Sequence, residues 1–233
     1  MRVGTGRETM RRLMVKARQE CPRVVFPEGS HPTILRACSI LADEGLVRPI
    51  LLGSEAAIRR AMEETGVEAA GATVVDPALS VRRDAYVEQY FGLRHRRGVM
   101  RATAAERIRR PEYFGAMMVH SGDADLMISG VASHYADSIR VILEVLGTAA
   151  GVKRVSSHYL VLLPRGVFFL TDCAVNIDPD AEALAEQALL TAACARALGI
   201  EPRIAMLSFS NFGSVDHPFA RKVQRATDLV RSR

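Results

Sequence analysis

Arg23-Val-Val-Phe-Pro-Glu-Gly-Ser-His31, the amphipathic run that continues to Leu46, and Arg48-Pro-Ile-Leu-Leu-Gly53 read in order as strand, helix, strand. The middle run places Ile34, Ala37, Cys38, Leu41 and Ala42 on one face of a 3.6-residue repeat, and Gly45 marks its end. Two short apolar strands separated by one amphipathic helix make a βαβ unit, which calls for parallel pairing.

The same alternation extends outward. Met10 to Glu20 reads as a helix before the unit. After it, Ser54 is placed to cap a helix running to Gly66, with Glu55 in the first turn. Ala72 to Asp76 reads as a third strand. Helical stretches follow over about 81–97 and 103–120, where Thr103 and Glu106 have capping-box spacing. Ala124 to Gly130 reads as a strand entering a turn, and His134 to Leu146 as the next helix. The expectation is an α/β fold with mostly parallel sheets and flanking helices.

The pattern changes after Gly147. Val155 to Leu163 and Val167 to Thr171 are apolar runs joined by Pro164-Arg-Gly166, which predicts a hairpin. Asp178-Pro179-Asp180 opens a long helix to Leu198, with Asp178 as N-cap, Pro179 at the first helical position and Gly199 beyond the end. Ile204 to Leu207 then predicts a buried strand, Ser208 to Ser214 a turn, and His217 the start of a last helix. Such a turn leaves backbone N–H groups open to an anion at a helix N-terminus, and Ser208, Ser210, Asn211 and Ser214 add side-chain donors. The expected division is an N-terminal linker and helix over 1–20, a first α/β domain over 21–149 and a second over 150–233.

The bulk numbers agree with a folded domain pair. The 233 residues are 48% apolar and 24% charged. No apolar run approaches the roughly 20 residues that span a bilayer, and the Arg-rich N-terminus lacks the apolar core of a secretory signal, so a cytoplasmic location without membrane contact is expected. Cys21, Cys38, Cys173 and Cys194 form no CxxC pair, and no His lies at metal-finger spacing. They read as small buried thiols in a reducing compartment, with a reactive cysteine as the alternative. The net charge is +5, much of it in Leu93-Arg-His-Arg-Arg-Gly-Val-Met-Arg101 and onward through Arg107, Arg109 and Arg110. A solvated helix face, a polyphosphate small molecule and a nucleic acid would each explain this cluster. The absence of interleaved aromatics disfavours the last.

In open α/β sheets, ligands gather at the carboxyl ends of strands. Four such turns carry polar or glycine residues: Pro27 to His31, Ser129 to Tyr135, Thr171 to Asn176, and Ser208 to Ser214. The P-loop, GxGxxG, GxSxG and HExxH motifs are missing. Arg140 lies seven residues after Ser133. It reads either as a surface partner of Asp137 or as a fork for a phosphate or carboxylate near a strand end. His31, His134 and His217 stand at helix starts, where capping or exposure is expected in preference to catalysis. Asp172 follows an apolar strand, where it would cap a turn or orient an arginine.

The chain also resembles the phosphate acetyl/butyryl transferase family. The matching stretches are Val25-Phe-Pro-Glu-Gly29, Leu93-Arg-His-Arg-Arg-Gly98, Ala124-Asp-Leu-Met-Ile-Ser-Gly130 with Tyr135-Ala-Asp-Ser-Ile-Arg140, Thr171-Asp-Cys-Ala-Val-Asn-Ile-Asp-Pro179, and Met206-Leu-Ser-Phe-Ser-Asn-Phe-Gly-Ser214. A closer resemblance is to the C-terminal phosphotransacetylase-like domain of NADP-dependent malic enzymes, carried by Gly6-Arg-Glu-Thr-Met-Arg-Arg12, Gly151-Val-Lys-Arg-Val-Ser156 and Tyr159-Leu-Val-Leu-Leu163. The resemblance implies two α/β domains with a substrate cleft between them, usually in a dimer, and no bound cofactor. It also implies transfer of an acetyl or butyryl group between coenzyme A and inorganic phosphate. By it, Arg94 and Arg140 match the substrate-gripping arginines. Asp172, Asn176, Ser208, Ser210, Gly213 and Ser214 fall in the substrate-binding stretches, with the 208–214 turn at the phosphoryl end. Met100, where the family more often has a small or hydroxyl residue, is a departure. So is the missing Asp-Leu-Ser-Arg-Gly type motif, from which the second domain is expected to be incomplete. The alternative it implies is a non-catalytic acetyl-CoA-sensing or assembly domain that associates with a malic enzyme subunit.

Overall fold

The computed structural model describes residues 5–69, 71–164, 166–211 and 213–233, without the side chain of Thr5. Arg165 of the expected hairpin turn, Phe212 of the expected anion turn and residues 1–4 of the expected linker lie outside the described residues. The chain divides into a larger unit, residues 14–147, and a smaller one made of residues 1–13 and 148–233. Helix α1 (Thr5–Glu20) runs across the division at residue 13.

The larger unit is built on four strands, β1 (Arg23–Phe26), β2 (Arg48–Leu52), β3 (Thr73–Val75) and β4 (Leu126–Met127), in the order β3-β2-β1-β4. Every pairing is parallel, with Val25 opposite both Ile50 and Met127, and Leu51 opposite Val74. Successive side chains of a strand point to opposite faces. Val24, Phe26 and Leu51 therefore join Ile34, Leu35 and Cys38 of α2 (Pro32–Asp43) and Ile58 of α3 (Glu55–Thr65). Val25, Ile50 and Leu52 join Tyr86 and Tyr90 of α4 (Arg83–Arg94), Ile108 of α5 (Arg101–Ile108), Phe114 and Met117 of α6 (Pro111–His120) and Val141 of α7 (Tyr135–Val145). A sheet covered on both faces explains why β1 and β2 read as unbroken apolar runs.

The caps follow the sequence in part. Ser54 Oγ accepts the Ala57 N–H at 3.3 Å, and Gly66 closes α3 in the left-handed conformation. Gly29 is required by close approach: a Cβ there would lie 2.6 Å from the Leu52 carbonyl oxygen. The expected capping box at Thr103 is absent, because α5 already begins at Arg101 and Thr103 lies inside it. The expected helix over 103–120 is two helices. Pro111, which has no N–H to give, occupies the first turn of α6 and forces a new start.

In the smaller unit, β5 (His158–Leu163) and β6 (Gly166–Thr171) pair antiparallel, with Tyr159 opposite Leu170 and Val161 opposite Phe168. Helix α8 (Ala181–Ala197) packs against β6 and against α9 (Pro218–Arg231). The N-cap of α8 is Asp180, not Asp178: Asp180 accepts the Ala183 N–H at 2.8 Å and is gripped by both Arg154 Nη atoms at 2.8 and 3.1 Å. Asp178 instead pairs with Lys222 at 2.7 Å.

The expected strand over Ile204 to Leu207 is not formed, and Leu207 is 83% exposed. A strand exists only by pairing, and among the described residues this apolar run has no neighbouring strand.

Candidate functional site

Strands β1 and β4 are neighbours running in one direction, so the turns after them meet at one end of the sheet. Glu28, two residues beyond β1, ties them together. Its carboxylate accepts N–H groups from Gly130 at 3.1 Å and Ala132 at 3.1 Å, and the Ser133 hydroxyl at 3.4 Å. Burial pushes its pKa up, but the Ala132 and Gly130 N–H donors outweigh this and hold it below the ordinary carboxylate value. The loop leading into α7 is thus moored to β1 by a charged group. Ser133 and Ser138 continue the chain of contacts at 2.9 Å.

Helix α7 carries Arg140, which is exposed and bonds Asp137 at 3.2 Å across one turn of the helix. Among the described residues nothing else holds it, so its guanidinium is available to an anion at small cost. Arg94 ends α4 and is half-buried. Its Nε is buried and has no hydrogen-bond partner among the described residues, where such donors are normally satisfied.

Between these two helices lies a network that the sequence did not reveal. Glu144 Oε2 accepts from the Tyr90 hydroxyl at 2.7 Å, the Tyr113 hydroxyl at 2.9 Å and Arg107 Nη1 at 2.7 Å. Arg107 also donates to the Tyr90 hydroxyl at 2.6 Å. Burial pushes the Glu144 carboxyl up, but the two tyrosine hydroxyls and the charges of Arg107 and Arg94 hold it low. Burial, with Glu144 nearby, raises Tyr90 well above an ordinary phenol and raises Tyr113 as well.

The arginine cluster has specific partners. Arg101 pairs with Glu88 at 2.7 Å and lies over the Phe91 ring, while Arg107 and Arg110 lie over Tyr113. A surface groove of about 350 Å³ between α4 and α5 is lined by Arg83, Asp84, Val87, Glu88, Ala105 and Arg109, and it includes none of the expected site residues.

The other expected site residues fall in the smaller unit. Asp172, just past β6, has a φ of 62°, a left-handed conformation that costs a non-glycine residue about 1–2 kcal/mol. Its Oδ1 is buried without a partner among the described residues. Asn176 Nδ2 donates to the Val155 carbonyl at 3.2 Å. Ser208, Ser210, Gly213 and Ser214 share one turn. Ser208 Oγ accepts the Ser210 N–H and Ser210 Oγ accepts the Val215 N–H, each at 3.1 Å, and Gly213 has a φ of 80°.

The helix N-terminus expected to be open after this turn is partly closed. Helix α9 begins at Pro218, which has no N–H, and His217 Nδ1 accepts the Phe219 N–H at 3.2 Å. His31 caps α2 in the same way, through Thr33, whereas His134 makes no side-chain cap bond. Of the cysteines, Cys38 is buried and burial lifts its thiol to about 12, but Cys173 is exposed, against expectation. It follows β6 and Asp172 in the chain, and its thiol donates to the Leu170 carbonyl at 2.9 Å. Among the described residues, no cluster of three or more His, Cys, Asp or Glu is placed to hold a metal ion, and no helix is long and apolar enough to cross a membrane.

Residues 8–233 match the model of the phosphate acetyl/butaryl transferase family. The chain belongs to this family. It is 39% identical over 227 residues to a phosphate acetyltransferase of Thermoanaerobacterium thermosaccharolyticum, covering 94% of this chain and 69% of that protein. It is 38% identical over 228 residues to the NADP-dependent malic enzyme of Escherichia coli, covering 96% of this chain and 30% of that enzyme. Among solved structures, a phosphotransacetylase from Staphylococcus aureus superposes with a TM-score of 0.89 at 29% identity, over 97% of this chain and 68% of that one. The chain thus spans about two thirds of the shorter relatives and under a third of the longer ones.

Proposed function

We propose that this chain transfers an acetyl group between coenzyme A and inorganic phosphate. The observation that carries the reading is the family match over residues 8–233, which covers every residue assigned a role here. A phosphate oxygen attacks the thioester carbonyl carbon, the C–S bond breaks, and the phosphate proton ends on the departing sulfur. Acetyl phosphate and CoA thiol are the products. Such a reaction needs the two reactants held together and the negative charge of phosphate and oxyanion offset, with no covalent enzyme intermediate.

In this reading Arg94 and Arg140 grip anionic parts of the substrates. Asp172 and Asn176 shape the turn after β6, and the hydroxyls of Ser208, Ser210 and Ser214 face the phosphoryl group beside the Gly213 backbone. Acetyl-CoA is a substrate, no resident cofactor takes part, and the protein works in the cytoplasm. A homodimer is supported by Tyr159, Phe168 and Leu170, more than half exposed on one face of the β5–β6 hairpin. The malic enzyme match keeps a sensing domain associated with a malic enzyme subunit as the second reading. The family description and the relatives named as phosphate acetyltransferases weigh for the transferase.

The test is thioester formation from acetyl phosphate and CoA by the purified chain. Formation that depends on both substrates supports the transferase. Tight acetyl-CoA binding by folded protein that forms no thioester would replace it with the sensor.

A further inference from the structure

Helical spacing relates the buried carboxylate to both candidate arginines. Tyr90 and Arg94 lie four residues apart on α4, and Arg140 and Glu144 lie four residues apart on α7. Each pair therefore shares a helix face. The Tyr90 hydroxyl bonds Glu144 across the two helices at 2.7 Å, so one hydrogen bond joins the turn preceding Arg94 to the turn following Arg140. Tyr113 of α6 and Arg107 of α5 converge on the same Glu144 oxygen, which makes the junction a node of four helices. The Glu144 side chain is 13% exposed, and Tyr90 is fully buried.

We propose that Glu144 is a positioning residue: held by Tyr90, Tyr113 and Arg107, it fixes α4 against α7 and so sets the place of Arg94 relative to Arg140. The proposal rests on the reading of these two arginines as substrate groups. Two further observations support it. The Arg94 Nε is buried with no partner among the described residues, so packing and not a bond at Nε holds this nitrogen in place. The positive charge of Arg94 is also among the causes that keep the Glu144 carboxylate ionised. Loss of the carboxylate would free the helices to shift, and a displacement of one ångström at a binding group is enough to lower productive binding severely.

The experiment follows the Nε–H resonance of Arg94 by nitrogen-15 NMR in the whole chain, assigned through its loss in Arg94→Lys. Acetyl-CoA affinity is measured beside it. Glu144→Gln removes the charge, and Tyr90→Phe removes one hydroxyl while keeping the ring, which protects the test against a Glu144 variant that fails to fold. Tyr86→Phe is the control. Tyr86 lies one turn earlier on the same helix and gives its hydroxyl to a different carboxylate, Asp123, at 2.6 Å.

The expected result is a discrete, slowly exchanging Arg94 signal in the wild-type chain. It moves into the exposed-arginine envelope in Glu144→Gln and Tyr90→Phe. Acetyl-CoA affinity falls roughly three- to tenfold in Tyr90→Phe, the size of one lost net hydrogen bond. Tyr86→Phe leaves both readouts in place. An Arg94 signal unmoved in both variants, or moved equally by Tyr86→Phe, overturns the proposal. Should the wild-type chain bind no acetyl-CoA, the functional reading falls, while the Arg94 signal still decides whether Glu144 positions it.

Discussion

In residues 14–147 a carboxylate set among aromatic rings collects three donors, whereas in residues 148–233 the buried amide of Gln187 on α8 collects no partner among the described residues. The larger unit has a four-stranded parallel sheet covered on both faces by large side chains. The smaller has a two-stranded hairpin, a helix buried largely through alanines, and Leu207, Phe209 and Ile177 lying open. The two groups of expected site residues differ accordingly. Arg94 and Arg140 sit on helices locked by a satisfied ionic network. Asp172 and the 208–214 serines sit in turns that hold themselves by local bonds, with strain and an unpartnered oxygen at Asp172. Rigid elements fix the position of a functional group, and turns offer it conformations that a regular element forbids.

The sharpest way to break this comparison is to cut one leucine from each unit. Leu51→Ala, at a fully buried position of β2, should cost about 3 kcal/mol, while Leu207→Ala, 83% exposed, should stay within about 0.5 kcal/mol. Urea unfolding followed by amide hydrogen exchange in each unit checks this, and equal losses would erase the distinction.

Strain at Asp172 gives the next effect. Asp172→Gly should stabilise the smaller unit by about 1 kcal/mol, because glycine adopts a φ of 62° freely, and should lower acetyl transfer. A variant both more stable and fully active would remove Asp172 from the site. A similar gain, at most about 1 kcal/mol, is expected from Gln187→Met, which replaces a buried amide lacking partners with an apolar chain of like shape. A thermal melt that drops instead would show that the amide is satisfied in solution.

The smallest contrast is one that should vanish. Each unit has an aspartate paired with an arginine, Asp125 with Arg23 and Asp180 with Arg154, and both carboxyls are drawn down to about 2 from 3.8, first by the arginine hydrogen bond and then by a backbone N–H. A depressed folded-state pKa adds stability that is present above the unfolded value and lost as pH falls through the folded one. Both units should therefore lose this contribution between pH about 4 and 2, and carboxyl carbon-13 shifts should titrate near 2 at both positions. A midpoint at the unfolded value in either unit would show that its pair does not form.

How much of this was legible in the sequence also differs between the units. Strands β1 to β3 were readable because burial on both faces leaves continuous apolar runs between turn residues. The cap at Ser54 and the hairpin were readable because their chemistry is local. The strand expected at Ile204 was misread because an apolar run states a preference for burial, while a strand requires a partner that local sequence cannot show. The shift from Asp178 to Asp180 as cap depended on Arg154, 26 residues away. The Glu144 node was hidden for the same reason, since Tyr90 and Glu144 are 54 residues apart. The available signal was the paired four-residue spacing of Tyr90 with Arg94 and of Arg140 with Glu144.

The most direct test of the account is phosphate-dependent release of free CoA thiol from acetyl-CoA, measured on folded wild-type chain and on Arg140→Ala. The account predicts release that requires phosphate and falls roughly 10- to 100-fold in Arg140→Ala, as expected for the loss of a charge-assisted contact. Folded wild-type protein that binds acetyl-CoA and releases no thiol, or an Arg140→Ala variant as fast as wild type, would contradict it.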